Sequence, residues 1–313
     1  VPANIYGALV LPSKHPVISY LSYSWSVAEN PYLSITEGLV TVNTDSVDHS
    51  ITLTVTITNG EETATRTVTI ISKAIVQREV GEFVTNKPTM NDSAVILHGV
   101  IVAFTRNQSL SLRSIILKDM TTAHTMSVDF AEAGENQILH TSSIFKNLKL
   151  GDEVSVRGLF RTTTRQTIYN VNNLDVLSSD NPVSHDKANA YVLNSKESYE
   201  NLANNYDDYA NKLVKFENPY MNYSTSTPPT ITNWVRLGYS ETTANAKHDG
   251  NHNFALLIAA NNESTGSEKW HKMFDIPLLQ GPASQFGGSF YAYAMYVSDT
   301  YIAFVVPSAA LWE

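Results

Sequence analysis

The residues best suited to chemistry in this chain are five arginines spaced among aromatic side chains. They are Arg106, Arg113, Arg157, Arg161 and Arg165, with Phe104, Phe160 and Tyr169 close to them in sequence. Guanidinium groups track phosphates and aromatic faces stack bases, which is what a single-stranded nucleic acid asks of a binding surface. Phe104, Arg106, Arg113, Arg157, Phe160, Arg161 and Tyr169 are therefore the candidate ligand-binding residues. Charge weighs against them. Residues 80–180 hold nine Lys/Arg against ten Asp/Glu, whereas a usable groove normally shows a net basic face. The same rings would serve equally as the buried core of a β unit.

His248, Asp249 and His252 form a second cluster, five residues long, that could ligate a metal. Such a loop lacks the fixed ligand spacing of a tetrahedral site, and Lys247 to Asn253 reads equally as a polar turn between strands. A His-Asn-His nuclease would need a helix after it, and Phe254 to Ala259 is strand-like. No metal site is expected. Ser143/Lys146 and Ser184/Lys187 match Ser-x-x-Lys without the companion motifs of serine acylation chemistry. Glu61-Glu62 and Asp207-Asp208 are adjacent acids, read as solvated charges because neighbours on a strand point to opposite faces. There is no nucleophile elbow, phosphate-cradling glycine loop, zinc-protease helix motif or EF-hand loop. The expectation is a chain that is not an enzyme and needs no cofactor.

The elements that must position these residues are strands. Of 313 residues, 42% are hydrophobic and only 16% charged, with 16 Tyr and abundant Thr, Ser and Asn. That mix suits strands with polar outer faces. The length suggests two or three domains. A net charge of −9 argues against a chain built as a whole to grip phosphate backbones. Cysteine is absent, which fits a bacterial exported protein. No run approaches the ~20 apolar residues of a membrane span. The chain opens at Val1 without a signal-like segment, as a mature or excised piece would.

Residues 1–74 read as a β-sandwich. Ile51 to Thr58 alternates apolar residues with Thr, Asn59-Gly60 signals a hairpin turn, and Thr63 to Ile71 returns. Tyr23, Trp25 and Val27 share one face of an earlier strand, and Glu37-Gly38 turns a short hairpin. Leu11-Pro12, Trp25-Ser26, Ile35…Gly38-Leu39-Val40-Thr41 and the Leu53 to Gly60 hairpin resemble the atrophied bacterial immunoglobulin-like domain. That resemblance implies a spacer or adhesion scaffold on a secreted or surface protein, with Trp25 buried in its core.

Residues 75–181 follow a different order: three strands (Val95–Phe104, Ser114–Asp119, His124–Phe130), a helix over Gln137–Leu148, then two more strands. Ile75 to Gly81 reads as a connector. Leu117-Lys118-Asp119 and the Leu150-Gly151-Asp152 to Gly158 run are similar to the OB-fold barrels appended to extracellular bacterial proteins, some of them nucleases. The pattern departs from them where Met120-Thr121-Thr122-Ala123 stands in place of a turn glycine. Residues 182–313 open with a capped helix near Ser195 and repeat the order of three strands, helix, two strands.

The expected fold class is thus mostly β, an Ig-like β-sandwich followed by an OB-like barrel and a second OB-like α+β barrel with an N-terminal helix. Function is expected to be that of a non-catalytic extracellular binding or spacer segment, monomeric, whose ligand is a polysaccharide, a protein or single-stranded nucleic acid. The alternative is the accessory nucleic-acid-binding portion of an extracellular nuclease.

Overall fold

The computed structural model describes residues 1, 3–43, 47–88, 92–106, 112–130, 147–162, 166–222, 234–245, 248–250, 252–258, 284–297 and 301–307. The chain is mostly β. Its first part holds β1 (Asn4–Ile5), β2 (Leu9–Val10), β3 (Ser22–Val27), β4 (Leu33–Thr36), β5 (Leu39–Val42), β6 (His49–Asn59) and β7 (Glu62–Ser72). These form two sheets, β1-β7-β6-β3 and β2-β5-β4, around a cluster that includes Leu33, Val40, Leu53 and Ile70. The cause is the alternation in β6 and β7. Ile51, Leu53 and Val55 turn inward, and Thr52, Thr54, Thr56 and Thr58 stand opposite Thr69, Thr67, Thr65 and Thr63 on the outer face.

Two expectations for this region need correction. The hairpin turns on Gly60-Glu61 and not on Asn59-Gly60, because Asn59 pairs with Glu62 and only Gly60 takes positive φ (66°). That matches loops with Gly at the first central position. Trp25 is half-buried: it shares the inward side of β3 with Tyr23 and Val27, but β3 is the edge of its sheet. The indole Nε1 donates to the Pro12 carbonyl at 2.8 Å.

The middle part comprises β8 (Ile75–Glu79), α1 (Val80–Thr85), β9 (Ser93–Arg106), β10 (Leu112–Lys118), β11 (Thr125–Asp129), β12 (Glu153–Arg161) and β13 (Thr167–Ser178). Strand pairing runs β9-β10-β11-β13-β12 and back to β9, which closes a five-stranded barrel. Closure is possible because the long β9 serves two partners, β12 through residues 93–100 and β10 through residues 100–106. Gly99 sits at the crossover, where an added Cβ would lie 2.9 Å from the Lys118 carbonyl and 2.8 Å from Val80. The expected connector at 75–81 is in fact β8, parallel to β9, followed by the start of α1. The two strands expected after the helix are β12 and β13, the latter bent at Asn170 (φ 47°). The expected helix over Gln137–Leu148 lies almost wholly outside the described residues.

The turn without a glycine is solved by Asp119. Its carboxylate accepts from the backbone N–H of Thr121 (2.9 Å) and Thr122 (2.8 Å), from the Thr121 hydroxyl (2.8 Å), and from the N–H of Gly81 (2.7 Å). One side chain therefore builds the β10–β11 turn and anchors α1 to it.

The last part contains β14 (Tyr191–Leu193), α2 (Lys196–Asn204), α3 (Tyr206–Tyr209), β15 (Leu213–Glu217), β16 (Tyr220–Asn222), β17 (Trp234–Gly238), β18 (Asn253–Ile258), β19 (Ser284–Gln285), β20 (Ser289–Val297) and β21 (Tyr301–Val306). Ser195 caps α2 through its hydroxyl and the Ser198 N–H at 3.3 Å. The described residues do not close a second barrel. They form one eight-stranded mixed sheet, β14-β15-β20-β21-β18-β17-β16-β19. The short strands β14, β16 and β19 are too brief to carry a readable period, so the element order counted from the sequence was incomplete.

The barrel is wedged between its neighbours. Ala94, Ile96 and Leu159 on its outside join the first cluster, while Val102, Ala103 and Ile116 join the core of the eight-stranded sheet. Asn211, in the turn between α3 and β15, locks the second contact. Its carboxamide accepts from the Ser127 N–H (3.0 Å) and donates to the Gln166 carbonyl (2.9 Å), and its own carbonyl accepts from the Thr125 hydroxyl.

Two measurements check this account. Burial alone would raise the Asp119 carboxyl, but its four hydrogen bonds outweigh it and hold the group down at about 2. A depressed carboxyl stabilises the fold above its unfolded value near 4 and loses that effect as pH falls through 2. Asp119→Asn should therefore cost about 2 kcal/mol at neutral pH, a deficit that shrinks between pH 4 and pH 2 in denaturant titrations. Asn211→Ala should cost about 3 kcal/mol, from two buried groups left without partners plus the strained φ of 66°. Asn211→Gly, which relieves the strain, should cost less.

Candidate functional site

The described members of the proposed arginine–aromatic set, Arg157, Phe160, Arg161 and Tyr169, do not share one open face. Burial alternates strictly along β12, so Phe160 points into the barrel while Arg157, Leu159 and Arg161 point out. Phe160 is 1% exposed and meets Phe83 edge-on at 5.0 Å. It is core, with no face to offer a base. Arg157 reaches back to the first part of the chain, with a terminal nitrogen 3.5 Å from the Val42 carbonyl. Arg161 lies over the Tyr169 ring, Cζ 4.2 Å from its centroid. The Tyr169 hydroxyl donates to Asp92, and the Tyr6 hydroxyl donates to the Asn170 carbonyl at 3.0 Å. Burial pushes both phenols up to about 12, so they stay neutral donors. This is a polar seam joining the first sheets to the barrel.

Phe104, Arg106 and Arg113 belong to β9 and β10, but their side chains lie outside what the structure describes, as does Arg165. The neighbouring outward positions are informative. Ser114, Ile116, Thr125, Ser127 and Asp129 alternate with the inward Ile115, Leu117, Met126 and Val128, and all of the outward five are buried. Asn211 and the core of the eight-stranded sheet account for the cover over Ile116, Thr125 and Ser127.

The histidine loop also separates. His248 is 5% exposed, its Nε2 3.0 Å from the Leu237 carbonyl and its ring 4.4 Å from Phe254. Burial lowers its affinity for a proton, partly opposed by that carbonyl and by Asp249. Asp249 turns instead to His252, accepting from its backbone N–H at 2.6 Å and meeting its Nδ1. Of the Ser-x-x-Lys pairs, Ser143/Lys146 lies outside the described residues. Ser184 accepts from Lys118 Nζ at 2.6 Å, and Lys187 Nζ sits 4.9 Å over the Tyr291 ring. Phe290 to Met295 is buried on both faces of β20, so its tyrosines are core.

A cleft of about 500 Å³ opens where the barrel meets the last part of the chain. Lys87, Lys118 and Lys212 line it together with His124, Asp186, Asp207 and Asp208. Asp207 and Asp208 lie on the helical turn α3, where neighbours stand about 100° apart instead of on opposite faces, and both line the cleft. Sequence spacing gave no signal for this grouping, since its members come from five separated segments.

Compared with known protein families, with characterised proteins and with solved structures, the chain matches none. No helix among the described residues is long and apolar enough to cross a membrane. Fold and site together define a β-rich chain whose closed barrel is braced on both sides.

Phe160→Ala should destabilise the barrel by roughly 3–5 kcal/mol, the range for a buried aromatic truncated in a core. Thermal unfolding measures it. A variant of unchanged stability would return Phe160 to the list of surface candidates.

Proposed function

We propose that this chain is a non-catalytic extracellular segment of a bacterial secreted or surface protein, acting as a braced spacer that carries a binding site. Residues 1–74 are read as an Ig-like sandwich and 75–181 as an OB-like barrel, in keeping with their sequence resemblances and with β11 and β13 pairing in parallel. One observation carries the functional reading: the outward face of β10 and β11 is buried within the chain itself. Barrels of this kind use the face of their second and third strands, with adjoining loops, to hold oligonucleotides or sugars. Here that face has an internal partner, so the barrel works as a joint. The absence of cysteine supports an exported setting.

The alternative, an accessory nucleic-acid-binding portion of a nuclease, keeps the half-buried, outward Arg161 and the backbone positions of Arg106 and Arg113 in its favour. The experiment is fluorescence anisotropy of labelled single-stranded DNA at low and moderate salt, alongside hydrolysis assays on nucleic acid, esters and glycosides with and without divalent metal. We expect neither turnover nor salt-sensitive DNA binding. Micromolar binding that falls steeply with salt and disappears in Arg106→Ala/Arg113→Ala/Arg161→Ala would establish the alternative instead.

A further inference from the structure

We propose that the cleft between the barrel and the eight-stranded sheet is a binding site for an acidic saccharide, a sugar carrying a carboxylate among its hydroxyls. This deepens the reading of the chain as a binding segment and rests on it. The cleft has a suitable size, about 500 Å³, and lies at a junction of structural units, where ligand sites concentrate. Its cationic side is Lys87, Lys118 and Lys212. Among the described residues none of the three is ion-paired with a carboxylate: Lys87 donates to Gln166 Oε1 and Lys118 to Ser184 Oγ, both at 2.6 Å. Lys87 is half-buried, and burial, then the neighbouring Lys212, lowers its pKa, with Asp207 opposing the shift. Lysines held near one another without a carboxylate in direct contact favour an anion that comes within hydrogen-bonding reach.

The carboxylates of the cleft decide the kind of anion. Asp186, Asp207 and Asp208 line the same cleft. Three carboxylates repel a polyanion such as a nucleic acid strand, but they accept hydrogen bonds from hydroxyls. Nor does the phenol of the described lining offer a base a stacking face: Tyr293 is 2% exposed and its hydroxyl lies 2.9 Å from His185 Nδ1. A ligand with one carboxylate for the lysines and several hydroxyls for the aspartates satisfies both kinds of group. A uronic acid unit of a polysaccharide has that chemistry.

Isothermal titration of the whole chain with methyl galacturonoside tests the proposal, with methyl galactoside and inorganic sulfate as controls and a reducing-end assay run in parallel. The expected result is binding of the galacturonoside, with the galactoside and sulfate far weaker. Lys212→Gln, at an exposed position, and Lys87→Gln should each weaken it roughly ten- to hundredfold, the effect of losing one charge-assisted hydrogen bond. Asp207→Asn/Asp208→Asn should weaken it as well, with circular dichroism confirming that every variant is folded. No galacturonoside binding, binding unchanged in both folded lysine variants, or sulfate binding as tightly as the sugar acid would overturn the assignment. Lack of binding without cleavage removes the cleft and leaves the non-catalytic reading standing. Binding accompanied by new reducing ends does the reverse.

Discussion

The organisation of this chain depends on one buried carboxamide. Strands β11 and β13 pair over only two residue pairs, Ser127 with Thr167 and Val128 with Ile168. At that short seam the barrel leaves the Ser127 N–H and the Gln166 carbonyl to be satisfied from elsewhere. Asn211, 1% exposed, supplies one acceptor and one donor from a single amide, as an inserted peptide group would. Its own backbone N–H meanwhile donates to Ala294 in β20 at 2.6 Å. The residue belongs to two sheets at once. Leaving such groups buried without partners would cost about 1–3 kcal/mol each, so barrel closure and docking of the last sheet are coupled.

Much of the strand content was legible because its causes are local. The Thr alternation of β6 and β7 follows from the two-residue period of a pleated strand, and the central glycine of β9 marks the bend of that long strand. The closed barrel followed from element order. What stayed hidden were features whose cause is distant in sequence. β8 looks like a connector because its partner β9 lies beyond α1 and runs parallel to it. Phe160 looked like a surface ring because an aromatic next to two arginines reads the same inside or out until the register is known. Asp207 and Asp208 were judged by the strand rule that faces neighbours apart, whereas on the helical turn they stand about 100° apart. Asn211 carried a faint signal: an Asn between helix and strand is a common carrier of positive φ, but nothing local says what its side chain meets.

The position of the barrel changes what its sequence resemblance can mean. A free barrel of this topology has an open face over its second and third strands. In this chain that face supports the neighbouring sheet through Ile116 and Asn211, while the opposite flank supports the first sheets through Ala94, Ile96 and Leu159. The Tyr6, Tyr169, Asp92 and Arg161 seam adds polar contacts to the latter. Fold alone never decides function, and here the same surface cannot be both a joint and an open groove.

Bracing, in turn, is what makes the cleft. The end of α1 brings Lys87, the end of β10 and the turn after it bring Lys118 and His124, and the α3–β15 segment brings Asp207, Asp208 and Lys212. Asp119 fixes the first two groups relative to each other by binding both Gly81 and the turn. Asn211 fixes the third by pinning its segment to β11. Each charged side chain projects from an element held within a few residues of a buried hydrogen-bonded anchor. A site assembled this way is preorganised, and preorganisation spares a ligand the ordering cost that otherwise consumes much of its contact energy. The two polar groups that hold the fold together are thus also those that set the spacing of the lysines and aspartates around the cleft.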